Sequence, residues 1–270
     1  MKRMLAALLL CLPAPVAMAQ LPAAMVQKGT ITFANVPNYP PLEFRDPATG
    51  ALTGFDVELG TAIAAKLGLK PVWEEVGFAA MLPALQTGRV DAILSGMSDV
   101  ATRHDAATFV DYLRTAPQFL IQHSRAAEFK EATALCGRKV GASRRTLFPV
   151  NIAAWSTANC PADKQIVFVG TEGSADARTQ LRQGRIDAAV QGNETLAYVM
   201  DQEQGAYQPL GAPFGGSLNG IGLPVKETGL HQAVAGALDA MIADGSYGKL
   251  LAKWKLSPNA LEKATINAGQ

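Results

Sequence analysis

The feature that most constrains this chain is an internal echo. Leu85-Gln86-Thr87-Gly88-Arg89-Val90-Asp91-Ala92-Ile93 returns as Leu181-Arg182-Gln183-Gly184-Arg185-Ile186-Asp187-Ala188-Ala189. In each copy an apolar helix end meets a glycine able to adopt the left-handed C-cap conformation, a charged turn follows, and a short apolar strand begins. Two such copies far apart in one chain imply two similar α/β units rather than one large sheet. The intervening sequence alternates in the same way. Ile31 to Ala34 reads as a strand. Asp56 can cap a helix that places Leu59, Ile63 and Leu67 on one face and stops at Gly68. Val140 to Ala142 and Ile166 to Val169 read as strands of the second unit, with helices over Leu147 to Ala158 and Ser174 to Gln183. Strands alternating with helices predict largely parallel sheets, whose ligands sit beyond the carboxyl ends of the strands. That rule points to Ser95-Gly96-Met97-Ser98, to Ser143 through Thr146, and to Gln191-Gly192-Asn193.

The N-terminus carries Lys2 and Arg3, then an apolar run from Met4 to Leu12, then Ala17-Met18-Ala19. This is the charged, apolar and small-x-small order of a secretory signal, so residues 1–19 read as a cleaved leader. The apolar run is too short to span a bilayer, which needs about 20 residues, and Pro13 and Pro15 follow it. Cleavage takes two of the 24 Lys and Arg and none of the 23 Asp and Glu, leaving a chain close to neutral. Such a balance gives no footing for nucleic acid or an anionic membrane. It also discards Cys11 and leaves Cys136 and Cys160, an even pair that in an exported protein reads as a disulfide. Closing a loop of that length contributes roughly 3 kcal/mol in the chain-entropy picture. His104, His123 and His231 are scattered, no Cys/His cluster is present, and no metal or other cofactor is expected.

At the strand ends the chain resembles the polar amino-acid family of bacterial extracellular solute-binding proteins, the capture subunits of ABC importers. The marks are Asn38 to Phe44, Gly54-Phe55-Asp56-Val57, Leu82-Pro83-Ala84-Leu85, Asp91 through Ser98 with Arg103, and Ala243 through Tyr247. The resemblance implies a two-lobed type II periplasmic-binding-protein fold with two hinge strands. Lobe one would hold 20–120 and 222–270, and lobe two 121–221, with crossings near Phe119 to His123 and Gly220 to Pro224. It also implies a monomer in the periplasm that closes over a small carboxylate ligand and delivers it to an inner-membrane permease.

The same resemblance, weighed against side-chain chemistry, selects the site. A guanidinium presents two parallel donors that match a carboxylate and stays charged at every relevant pH, so Arg103 takes the ligand's α-carboxylate. Ser98 adds its hydroxyl and backbone N–H, and the Ser95 and Gly96 backbone offers a carbonyl to an ammonium. Tyr39 and Phe78 match the family's aromatic walls. Thr146 opens a helix whose free N–H groups favour an anion. The chain also departs from its family. Ser143-Arg144-Arg145-Thr146 replaces a small Gly-Thr-Thr-like turn, and Arg144 there favours a ligand with a second acidic group. Where relatives place an acid for the α-ammonium stands Gly192, leaving Asn193 or Glu194 as substitutes, or a ligand without that amine; Asn193 is assigned to the site. Val36 stands where relatives that bind cationic side chains carry an acid, which disfavours lysine, arginine and ornithine. Two rival readings remain. One is an exported dehydratase acting on a cyclic carboxylate with Glu194 as general acid. The other is a binding partner of a periplasmic signalling receptor.

Overall fold

A computed structural model describes residues 21–269; the expected leader and Cys11 lie outside these residues. Within them, no helix is long and apolar enough to cross a membrane.

Two main sheets are present. The first orders its strands as Thr265–Ile266, Thr108–Thr115, Ser217–Leu223, Ala92–Ile93, Thr30–Asn35 and Lys70–Glu75, with Ser98–Asp99 attached to Ser217–Leu223. The second orders Val167–Thr171, Lys139–Ser143, Ala188–Gly192, Pro117–Gln122 and Tyr207–Leu210. The strands joined through helices pair in parallel, as expected. Where the chain passes between sheets the pairing is antiparallel instead, because Thr108–Thr115 and Ser217–Leu223 run in opposite directions through the first sheet. Each sheet has its own apolar core. Ile31, Phe33, Leu59, Ile63, Tyr112 and Leu238 anchor the first, and Phe119, Leu135, Val140, Ile152 and Val190 anchor the second.

The echo proves to be one structure built twice. Gly88 and Gly184 both adopt positive φ, 72° and 67°. Arg89 N–H reaches the Ala84 carbonyl, and Arg185 N–H reaches the Gln180 carbonyl, each at 3.0 Å. Val90 and Ile186 are buried in the cores that follow. Asp91 Oδ2 accepts the Thr32 N–H at 2.8 Å, and Asp187 Oδ2 accepts the Lys139 N–H at 3.0 Å. Each aspartate therefore ties its turn to the neighbouring strand and satisfies an otherwise orphaned donor.

Two expectations are corrected. The chain crosses between sheets at Ala116 and again over 211–216, upstream of the predicted Phe119 to His123 and Gly220 to Pro224. Pro117–Gln122 is fully engaged with Ala188–Gly192 and Tyr207–Leu210, and Ser217–Leu223 with the first sheet, so neither strand has residues left to cross. Asp56 does not cap its helix, Phe55–Lys66; Gly54 occupies the N-cap and Asp56 is fully buried one residue inside. The helix does end at Leu67, with Gly68 following at φ 71°. Cys136 and Cys160 are joined, tying the segment before strand Lys139–Ser143 to the end of helix Phe148–Asn159.

Candidate functional site

The carboxyl ends of the strands in both sheets face one cavity of about 260 Å³. Its first wall comes from the first sheet. Arg103, in the short turn after Ser98–Asp99, is half-buried; it donates to the Ser98 carbonyl at 2.7 Å and lies 5.9 Å from the centre of the Phe78 ring. No carboxylate among the described residues pairs with it, and burial alone lowers its hold on its proton. A partly desolvated guanidinium facing a cavity without a counter-charge is a site prepared for an anion. The Ser95 hydroxyl is already used, accepting from Val36 N–H at 3.1 Å and donating to Glu43 Oε1 at 2.7 Å. Gly96, at φ 56°, donates its N–H to Asp56 Oδ2 at 2.9 Å.

The second wall holds two helix starts, Thr146-Leu147-Phe148 and Gly173-Ser174, with Arg145 and Asn151 beside them. The Thr146 hydroxyl donates to the Ser143 carbonyl and accepts the Phe148 N–H, and so shapes the entry to helix Phe148–Asn159. Glu194 closes the cavity near the crossing. It is 3% exposed, accepts from Tyr39 Oη at 2.8 Å and from the Thr115 hydroxyl, and Tyr39 in turn accepts the Gly192 N–H at 3.3 Å. Burial pushes the Glu194 carboxyl up, against the hydrogen bonds from Thr115 and Tyr39 that favour its charged form. Gly192 explains how this acid fits: a Cβ there would lie 2.0 Å from Glu194 Oε1. The Glu194 carboxyl thus occupies the space where a side chain at position 192 would begin.

A profile of the bacterial extracellular solute-binding proteins, family 3, matches residues 31–257. The chain belongs to that family. Among its relatives, the arginine-binding protein ArgT of Corynebacterium glutamicum is 29% identical over 257 residues, covering 94% of this chain and 84% of the relative. The histidine-binding periplasmic protein of Salmonella typhimurium is 30% identical over 245 residues, covering 86% and 89%. Among solved structures, an ancestral amino acid-binding protein described as a precursor of cyclohexadienyl dehydratase superposes with a TM-score of 0.73 at 26% identity, covering 86% of this chain and 97% of that one.

In this family 3 protein the residues expected from sequence divide clearly. Arg103, Ser98, Ser95, Gly96, Tyr39, Phe78 and Thr146 all line the cavity. Arg144 does not; it turns away to the Gly170 carbonyl and Glu172, both at 3.1 Å, while Arg145 takes the cavity-facing place. Asn193 is also outside the cavity. Its Oδ1 accepts from Ala116 N–H at 3.0 Å and from Asn259 Nδ2 at 3.3 Å, which makes it a clasp on the crossing segment. A short 3₁₀ turn over Asn193–Thr195 follows the strand and rotates Glu194, rather than its neighbour, into the cleft. Sequence reasoning also passed over Glu43, Thr115, Asn151 and Asn219 as lining residues. Asn219 was visible in principle, as a polar residue inside an otherwise apolar and glycine-rich strand.

Proposed function

We propose that this protein is the periplasmic capture subunit of an ABC importer and binds a free amino acid as a monomer. The observation that carries the reading is Arg103, a half-buried guanidinium that faces the cavity with no carboxylate partner among the described residues. The ligand's α-carboxylate pairs with it, assisted by Ser98 and by the helix start at Thr146. Glu194 receives the α-ammonium from the opposite side. A ligand gripped by both walls favours their closed arrangement by its extra contacts there, and the importer then recognises that arrangement.

The rest of the lining supports a neutral or acidic ligand: Val36, Asn38, Leu147, Phe148 and Asn151 carry no charge, Arg145 adds positive charge, and Glu172 is engaged by Arg144. The arginine- and histidine-binding relatives make a cationic ligand the main competitor. A thermal-shift panel of ligand-stripped protein tests the choice with glutamine, glutamate, arginine and histidine, since specific binding raises the midpoint by mass action. Glutamine or glutamate shifts the midpoint and arginine does not; a shift with arginine alone overturns the side-chain assignment.

One observation favours a second reading. Glu194 is a buried acid with a raised pKa beside the cavity, the property a general acid needs, and the structural neighbour described as a dehydratase precursor shares this fold. Incubation with a cyclohexadienyl carboxylate, followed by product analysis, separates the two: stoichiometric binding without product supports capture.

A further inference from the structure

At the cleft floor lie two carboxyl groups that the capture scheme leaves unused, Glu43 on the cavity lining and Asp56 behind it. Glu43, on the short strand Glu43–Arg45, and Asp56, at the start of helix Phe55–Lys66, are both fully buried and hold consecutive residues, Glu43 the Ser95 hydroxyl and Asp56 the Gly96 N–H. Asp56 Oδ2 accepts two donors, the Gly96 N–H and the Tyr112 hydroxyl, each at 2.9 Å. Glu43 Oε1 accepts one, the Ser95 hydroxyl, at 2.7 Å. That leaves Glu43 Oε2 and Asp56 Oδ1, two buried oxygens with no donor. The titratable groups facing the pair are Tyr112 from strand Thr108–Thr115, Tyr39 from the strand beside Glu43, and Glu194 from across the cavity. None of these is a cation.

Two buried carboxylates on consecutive residues of one turn, with no cation among the groups facing them, repel strongly when both are charged. A single proton held by the pair removes the repulsion and leaves one buried charge in place of two. We propose that Glu43 and Asp56 share a single proton at neutral pH, and that this acid–carboxylate pair is the positioning element that fixes the Ser95–Gly96 turn at the floor of the cleft. The proton resides on Glu43, because Asp56 has two donors stabilising its charge and Glu43 has one. Both acids grip the same turn: Val36 N–H donates to Ser95 and Ser95 to Glu43, while Asp56 holds the Gly96 N–H. Burial, reinforced by the Asp56 charge, raises Glu43 well above the usual carboxylate range, in keeping with this assignment. The positioning role rests on the capture function proposed above; the proton itself does not, and it is measured without ligand.

The direct test is carboxyl 13C NMR of protein labelled in glutamate, recorded at neutral pH on a Glu194→Gln background so that the other buried glutamate is silent. A resonance of a protonated glutamic acid is expected, and Glu43→Gln removes it. Ionised resonances alone on the Glu194→Gln background overturn the proposal, whether or not Glu43→Gln folds. A pH profile adds the second readout. A carboxyl whose folded pKa is raised contributes stability at low pH that is lost as pH rises from its ordinary value near 4.5 toward the raised one. Relative to Glu43→Gln, the folding constant of the parent therefore falls about tenfold per pH unit above that value. Parallel profiles contradict the shared proton. Hydrogen exchange of the Gly96 amide reports positioning: it stays slow in Glu43→Gln, whose amide replaces the acid as donor, and accelerates in Asp56→Ala. Slow exchange in both variants overturns the positioning role.

Discussion

The two copies of the echoed motif share a scaffold and differ at their tips. Up to Asp91 and Asp187 the copies correspond bond for bond: the same glycine conformation, the same backbone closure, the same aspartate tie to a neighbouring strand. Five residues after each aspartate, Gly96 and Gly192 hold equivalent places and behave differently. Gly96 has φ 56° and binds a buried carboxylate beneath the floor, whereas Gly192 has φ −66° and makes room for an acid above it. The lesson is that the repeated part builds two rigid α/β layers, while binding chemistry resides in the few residues after each strand, where loops are free to diverge.

Substitutions that strike scaffold and tip separately can break this comparison. The largest effect is expected for Arg103→Ala, which loses a charge-assisted carboxylate contact and weakens ligand binding roughly 100-fold, measured by calorimetry, with the melting midpoint of the free protein little changed. Next come the scaffold aspartates. Asp187→Ala strands the Lys139 N–H and also releases Arg125, its partner at 2.9 Å, so it destabilises by roughly 2–3 kcal/mol. Asp91→Ala strands the Thr32 N–H and releases only the more exposed Lys28, and costs about 1–2 kcal/mol. Denaturant titration measures both, and ligand affinity of the folded fraction is unchanged in each.

The glycine pair sharpens the contrast further. Gly96→Ala forces a left-handed backbone onto an L-residue and crowds Leu42 Cδ1 at 3.1 Å, costing about 1–2 kcal/mol of stability. Gly192→Ala sets its Cβ against the Glu194 carboxyl, so affinity falls roughly tenfold as the acid is displaced, with about 1 kcal/mol of stability lost with the Tyr39 and Thr115 hydrogen bonds. The smallest effect concerns pH. Asp111, in contact with Asp99 in the first sheet, is pushed up to about 7 by burial first and by the Asp99 charge second. Its protonated form stabilises the fold, and that contribution is lost as pH rises through about 7. Hydrogen exchange should therefore show Thr108–Thr115 losing protection relative to Pro117–Gln122 on alkalinisation, and Asp111→Asn should abolish the difference.

Where sequence was legible, local physics and tertiary structure agreed. The helix after Gly54, the strands around Val140 and Ala188, and the echo glycines all follow from periodicity and backbone preference, which packing did not override. Arg103, Tyr39 and Phe78 were assigned through the family resemblance, and all three line the cavity; side-chain chemistry alone does not separate a cleft aromatic from a core one. The failures fall at turns. A single 3₁₀ turn decides between Asn193 and Glu194, and one residue of register decides between Arg144 and Arg145. Neither decision is encoded in residue type. The crossings were placed too late because pairing partners, which fix where a strand ends, belong to distant sequence. The paired acids Glu43 and Asp56 were quoted as family marks, yet their pairing on one turn depends on two elements meeting at the cleft floor, which no local pattern reveals.

The central claim is that Arg103 on one wall and Glu194 on the other divide a ligand's carboxylate and ammonium between them. A double-mutant cycle by calorimetry tests it most directly, titrating glutamine and its α-carboxamide analogue into the parent protein and Arg103→Ala. The account predicts that removing the ligand's carboxylate charge weakens binding to the parent roughly 100-fold and barely affects the already weak binding to Arg103→Ala. An equal loss in both proteins would mean that the carboxylate is held elsewhere, and would contradict the assignment of the cleft.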